Sequence, residues 1–250
     1  MVTPLAMDLL ATGQAVFIWL FPIVIAITLH EAAHAWMAER CGDDTARLMG
    51  RVSFNPIKHV DPIGTLLLPS LLLAFQAPLL FGFAKPVPVN FYGLDNRKRD
   101  MIRVALAGPA ANVILLILSV LLIRLALFFE TPPTAAFWMF LILVKSILIN
   151  IVLAVFNMLP LPPLDGGRVV VGLLPYPLDY RFERLERYGL FIILGLLLSL
   201  IFVIPWASRQ LGSDFDPLLQ HVEPALLSIF LYIGSFSGLD SFWLMKLAFT

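Results

Sequence analysis

Long stretches without a charged residue limit most strongly how this chain can fold. Spanning the hydrocarbon core of a bilayer takes about 20 apolar residues in a helix. Only 14% of the 250 residues are charged, whereas soluble domains usually carry about 25%. We therefore predict an all-α polytopic membrane protein with about five to six transmembrane helices. The apolar stretches are residues 9–29, 104–123, 135–164 (broken only by Lys145), 188–208 and 224–239.

A further apolar stretch, residues 62–84, contains three prolines and two glycines, which interrupt a regular helix. Basic residues flank it on both sides, and cytoplasmic loops are enriched in Lys and Arg. We expect a segment that re-enters the membrane or lies at its surface; a full span is the alternative. The other spans then place the N-terminus on the outer side of a cell membrane and the C-terminus on its cytoplasmic side.

Residues 51–55 and 82–90 are predicted to be extended. Pro86 and Pro88 exclude a helix and suit an edge strand. Such an edge can bind an unwound peptide through its main chain. We expect a small β-hairpin or sheet at the membrane edge, and a plain surface hairpin is the alternative.

The chain is predicted to form a single membrane-embedded domain over residues 1–250. Its motifs lie within residues 9–175, and further helices are expected over 188–250. Because the formal net charge is zero, the chain has no overall positive charge to attract nucleic acid, and no nucleic-acid partner is expected. The expected partner is the lipid bilayer, and the sequence predicts no particular oligomeric state.

The first apolar stretch leads into His30-Glu31-Ala32-Ala33-His34. Side chains four residues apart share one helix face, so both imidazoles can reach one zinc ion. Glu31 is then placed to take a proton from zinc-bound water. The alternative is a pair of interfacial histidines at a helix end. From His30 to the next acidic residue after the motif, Glu39, the helix rises about 13 Å. His30 therefore lies well inside the membrane, where ionisable groups are usually functional.

A catalytic zinc usually has three protein ligands and one open position. Asp165 is the candidate third ligand, within the segment Asn157-Met-Leu-Pro-Leu-Pro-Pro-Leu-Asp-Gly-Gly. Prolines must stop the third apolar run near Met158. We expect an extended loop that holds Asp165, with Gly166 and Gly167 forming tight turns. A turn at the membrane surface is the alternative.

These two motifs, with Gly108-Pro109-Ala110-Ala111-Asn112 between them, resemble the site-2 protease family of intramembrane zinc metalloproteases. The resemblance implies Zn²⁺ as cofactor, His30, His34 and Asp165 as ligands, and Glu31 as catalytic base. It implies hydrolysis of peptide bonds in or near a transmembrane helix of a substrate protein. The chain looks like the compact form, without a PDZ or nucleotide-sensing domain. The alternatives are a catalytically silent relative that binds membrane helices, and a metal transporter.

Two asparagines are candidates for substrate binding. Asn112 is expected at the depth of His30, where it could bind substrate backbone or polarise its carbonyl, and Asn157 could do the same. Interhelical hydrogen bonding is an equal alternative for both. His59 is either a polar group near the site or, as we favour, a loop residue.

Overall fold

The computed structural model describes residues 4–74, 85–128 and 133–199, with Val203 and Trp206 beyond them. The described residues form eight α-helices, a 3₁₀ turn at Pro56–Lys58 and a π-helical turn at Pro62–Leu67, and no β-strand. The helices are α1 (Pro4–Arg40), α2 (Thr45–Leu48), α3 (Leu68–Ala74), α4 (Arg97–Phe128), α5 (Pro133–Asn157), α6 (Asp165–Leu173), α7 (Leu178–Glu183) and α8 (Glu186–Leu198).

Three helices are long and apolar enough to span a membrane, at Val16–Arg40, Arg97–Ala126 and Phe137–Asn157. They overlap the first three predicted spans, and α5 ends at Asn157, beside the predicted stop at Met158. The fourth predicted span begins in α8 and continues outside the described residues. The fifth lies wholly outside them.

The segment predicted to re-enter the membrane is helical as far as it is described, over residues 62–74. Asp61 caps its start, since its side chain accepts the backbone N–H groups of Ile63 and Gly64. Pro69 does not end the helix, because it lies in the first turn of α3. The described part is only about 20 Å long, and residues 75–84 lie outside the description.

The described parts of the predicted hairpin, residues 51–55 and 85–90, form no β-ladder. Pro86 and Pro88 have no N–H to donate to one. Instead, Arg51 Nη2 donates to the carbonyl oxygen of Lys85 at 2.7 Å, and the Lys85 N–H donates to the carbonyl of His59 at 3.1 Å. Residues 82–84 lie outside the described chain.

The three long helices pack on one another through apolar side chains. One buried cluster joins α4 to α5, and a smaller one joins α1 to α5. On its outer side, α4 exposes a stripe of large apolar side chains, as a helix in contact with lipid does. The stripe consists of Leu106, Val113, Ile114, Ile117, Leu118, Leu121, Leu122 and Leu125.

The short helix α6 is held against the start of α4. Gly172 of α6 allows this approach, since a Cβ there would lie 2.5 Å from Ile102 Cγ1 and 2.8 Å from the Lys98 carbonyl oxygen. Just beyond α6, two ion pairs link the same end of α4 to α7, namely Arg97–Glu183 at 2.8 Å and Lys98–Asp179 at 2.9 Å. This packing fixes where α6 begins, and therefore where Asp165 lies.

We predict that Gly172→Ala lowers the free energy of unfolding by about 1–3 kcal/mol, because the new methyl group must push α6 away from α4. Gly195→Ala in α8 is the matched control. A Cβ there meets nothing within 4 Å, so alanine should be neutral or should stabilise by up to ~1 kcal/mol. Unfolding in mixed detergent micelles measures both, and equal stabilities would contradict the close α4–α6 contact.

Candidate metal centre

His30 and His34 lie one turn apart on α1 and face each other inside the helix bundle. Both side chains are buried. Their Nε2 atoms are 3.0 Å apart, and their rings meet edge to face with centroids 4.6 Å apart. The four-residue spacing therefore produces the single shared face that the sequence predicts.

Asp165, the first residue of α6, completes the cluster. Its Oδ2 lies 3.3 Å from His30 Nε2, and its Oδ1 lies 3.3 Å from His34 Nε2. One ligand atom from each of the three residues lies within 4.8 Å of the others. Helices α1 and α6, which are far apart in sequence, thus bring three metal-binding groups together.

The prediction that Asp165 lies in a loop, beside glycine turns, was wrong. Gly166 and Gly167 are helical residues of α6. A Cβ at Gly166 would lie 2.3 Å from the Met158 carbonyl oxygen, and one at Gly167 would lie 2.4 Å from the Pro162 nitrogen. These glycines let the proline-rich segment fold back across the start of α6.

A chain of hydrogen bonds through the bundle fixes the tautomer of His30. The backbone carbonyl of Ser146 accepts from Asn150 Nδ2 at 2.8 Å, which turns Asn150 Oδ1 toward Asn112 Nδ2 at 2.8 Å. Asn112 Oδ1 then faces His30 Nδ1 at 2.6 Å. Because an amide oxygen only accepts, Nδ1 of the neutral His30 ring carries the proton and Nε2 has a free lone pair.

His34 is oriented in the same way by a backbone group. Its Nδ1 donates to the Val104 carbonyl oxygen at 2.7 Å, so its Nε2 also has a free lone pair in the neutral ring. Two lone pairs and a carboxylate therefore converge, and Asp165 Oδ2 is buried without a hydrogen-bond partner. A cation between these acceptors would offset the cost of burying them without a hydrogen-bond donor.

The donor set fits zinc. Tetrahedral zinc with ligands at about 2.0–2.2 Å separates those ligand atoms by roughly 3.3 Å. The distances from the imidazoles to Asp165 are 3.3 Å, and the distance between the imidazoles is 3.0 Å. Imidazole and carboxylate are common ligands of a catalytic zinc, and three protein ligands leave one position open.

Gly108 of α4 makes room for this cluster. A Cβ there would lie 2.3 Å from His34 Nε2 and 2.6 Å from His30 Cε1, so any side chain would occupy the space between the imidazoles. Within the Gly-Pro-Ala-Ala-Asn element, the sequence predicted a role only for Asn112. The four-residue spacing from Gly108 to Asn112, one helix turn, is the signal that could have revealed the glycine.

Glu31 projects beside the cluster into a cavity of about 380 Å³. Its Oε2 accepts a hydrogen bond from the backbone N–H of Val87 at 2.8 Å. The cavity is open enough for water and has both polar and apolar walls. It is lined by His30, Glu31, His34, Pro86, Val87, Val89, Phe91, Val104, Ala105, Asn157, Pro163, Asp165 and Arg168.

The two asparagines predicted for substrate binding lie in different surroundings. Asn157 lines the cavity, while its Nδ2 donates to the Leu153 carbonyl oxygen at 2.9 Å. Asn112 is fully buried and bonds to His30 and Asn150. The prediction that Asn112 shares the depth of His30 is confirmed, and its contacts are those of the interhelical alternative.

His59 lies in the turn after the 3₁₀ segment, where its Nε2 donates to the Ser53 carbonyl oxygen at 2.7 Å. Burial lowers the pKa of its imidazole. It is not part of the three-residue cluster found among the described residues.

Comparison with known proteins assigns the chain to a family. Residues 129–200 match the model of peptidase family M50. The YwhC protein of Bacillus subtilis, which is named as a zinc metalloprotease, is 37% identical over 210 residues, 83% of this chain and 88% of that protein. Rip2 of Mycolicibacterium smegmatis, also named as a zinc metalloprotease, is 31% identical over 73% of this chain and 69% of its own length. No solved structure matches.

The chain therefore belongs to peptidase family M50, the site-2 protease family. It is an intramembrane zinc metalloprotease, as the sequence motifs predicted. The match to YwhC extends across most of both chains, so the resemblance is not limited to the two short motifs.

The hydrogen bond from His30 to Asn112 generates a prediction about zinc affinity. Groups that orient a metal ligand typically contribute 10–100-fold to metal affinity. Asn112→Ala should therefore weaken zinc binding by about 10-fold or more, as measured by competition with a chelator. Ser70→Ala, a polar deletion in α3 whose hydroxyl bonds to the Leu66 carbonyl, should leave the affinity within about twofold. An unchanged zinc affinity with altered cleavage would instead support direct contact with substrate.

Proposed function

We propose that His30, His34 and Asp165 bind the catalytic zinc and that Glu31 is the general base of peptide-bond hydrolysis. The convergence of the three ligand atoms within 4.8 Å of one another carries this proposal. Glu31 lines the same cavity as the three ligands. Family membership supports the role of each residue, because both motifs of the resemblance lie at this one site.

Zinc, when bound, supplies a Lewis acid for the scissile carbonyl and lowers the pKa of a bound water. Asn112 and the Val104 carbonyl hold the two imidazoles with Nε2 facing Asp165. Glu31 accepts the proton of the attacking water through the carboxylate oxygen that Val87 does not occupy, and later donates it to the leaving amine. The buried ligands exclude bulk water from all but the cavity side.

A substrate helix must unwind before attack, because its amides are already hydrogen-bonded to one another. We propose that residues 85–90 bind the unwound stretch through main-chain groups other than the Val87 N–H, which faces Glu31. Pro86, Val87, Val89 and Phe91 form an apolar wall next to Glu31, which suits apolar substrate side chains. Asn157, on the same cavity, is the candidate to hydrogen-bond the substrate backbone.

The proposed topology places the site near the cytoplasmic face of a cell membrane, with the N-terminus outside, the C-terminus inside and residues 62–84 re-entrant. Basic residues at the end of α1 and the start of α4 support this, following the positive-inside rule. His30 is ten residues from Arg40, the last residue of α1, and so about 15 Å below that end. Residues 1–250 are proposed to act as one peptidase domain.

We predict that Glu31→Gln lowers cleavage of single-span membrane proteins at least about 100-fold, because the amide cannot accept the proton. Zinc content should stay at the wild-type level, since Glu31 is not a proposed ligand. The assay uses purified enzyme and a panel of substrates with and without helix-breaking residues in vesicles. Equal processing by both enzymes would remove the protease mechanism, and metal uptake without cleavage would favour a transporter.

Asp165→Ala should lose zinc, because only the two imidazoles remain to bind it. Metal analysis after dialysis against a weak chelator measures the zinc retained per chain. Glu39→Ala is the control, since this carboxylate pairs with Arg47, away from the packing of α6 on α4, and is not a proposed ligand. Retention of zinc by Asp165→Ala at the wild-type level would exclude the proposed ligand set.

A further inference from the structure

The contact between Glu31 and Val87 joins two parts of the chain that no motif connects. The Val87 N–H donates to Glu31 Oε2 at 2.8 Å, although the two residues are 56 positions apart. Both neighbours of Val87 are prolines, which have no N–H. Val87 therefore supplies the single backbone donor of the Pro86–Pro88 tripeptide, and that donor is directed at the carboxylate.

The segment that carries Val87 is fastened on both sides of it. On one side, Arg51 Nη2 donates to the carbonyl oxygens of Lys85 and Pro86 at 2.7 and 3.3 Å. On the other, the Asn90 N–H donates to Asp43 Oδ2 at 2.7 Å. These bonds hold the Val87 N–H at a fixed place relative to α1 without pairing in a β-ladder.

We propose that the backbone N–H of Val87 is a positioning group for the Glu31 carboxylate. A glutamate side chain has several rotamers, and ordering it costs conformational entropy. The hydrogen bond orders this side chain before substrate arrives. It restrains Oε2 and leaves Oε1 for the water. The inference rests on the proposed role of Glu31 as general base.

Val87→Pro is the direct test, because proline removes the N–H. The residue before a proline is confined to extended conformations, and Val87 precedes Pro88, so proline should fit the local backbone. Val87→Ala is the matched variant that keeps the N–H and shortens the side chain. We expect kcat of Val87→Pro to fall about 10–100-fold below that of Val87→Ala, as misplacement of a reacting group typically costs. KM and zinc content should be similar in the two variants.

A double-mutant cycle separates this inference from the function on which it rests. In Glu31→Asp the shorter side chain no longer reaches the Val87 N–H, so adding Val87→Pro should lower kcat less than threefold. The same factor in both backgrounds would overturn the positioning role while leaving Glu31 as the base. Full activity of Glu31→Asp and Glu31→Gln would instead overturn the proposed function. A rise in activity of Val87→Pro would show that the segment blocks the base.

Two further measurements keep the inference testable if Val87→Pro does not fold. Replacing Val87 by its α-hydroxy acid changes only the amide to an ester, and should reproduce the fall in kcat. Amide hydrogen exchange of a peptide that covers residues 84–92 gives a readout without catalysis. Glu31→Ala should speed the exchange of one amide at Val87, and Glu31→Gln, which keeps an acceptor oxygen, should do so much less. Unchanged exchange in Glu31→Ala would overturn the inference.

Discussion

Three hydrogen-bond acceptors meet inside an apolar helix bundle with no donor between them, and the rest of the structure serves that arrangement. The lone pairs of His30 and His34 face each other at 3.0 Å, with the Asp165 carboxylate 3.3 Å away. Burying two imidazole lone pairs and a carboxylate together is costly without a cation. Hydrogen bonds from the Nδ1 atoms of the two imidazoles to Asn112 and to the Val104 carbonyl hold the rings in this arrangement.

Each long helix contributes to this site in a different way. Helix α1 supplies both imidazoles and Glu31, and α4 supplies Asn112, the Val104 carbonyl and the space at Gly108. Helix α5 supplies Asn150, through which the polar chain reaches a backbone carbonyl. The site is therefore distributed over the bundle, so the geometry of the proposed metal ligands depends on how the helices pack.

Much of this could be predicted from the sequence, because the relevant signals are local. Helical spacing places His30 and His34 on one face, and the prolines after Asn157 end α5 where expected. Counting from the charged ends of α1 and α4 gives Asn112 the depth of His30. The meeting of Asp165 with the two histidines was implied by the family resemblance, but contacts between distant segments outside the motifs could not be predicted. Neither the Val87–Glu31 hydrogen bond nor the helical setting of Asp165 leaves a periodic pattern in the chain.

The division of the proposed zinc ligands between α1 and α6 has a consequence for biosynthesis. A ribosome translates His30 and His34 long before it reaches Asp165, and an incomplete site with two imidazoles binds zinc weakly. If these residues bind the catalytic zinc, we expect the newborn polypeptide to be inactive while α1, α4 and α5 insert. Proteolytic activity would then begin only after α6 has docked on α4.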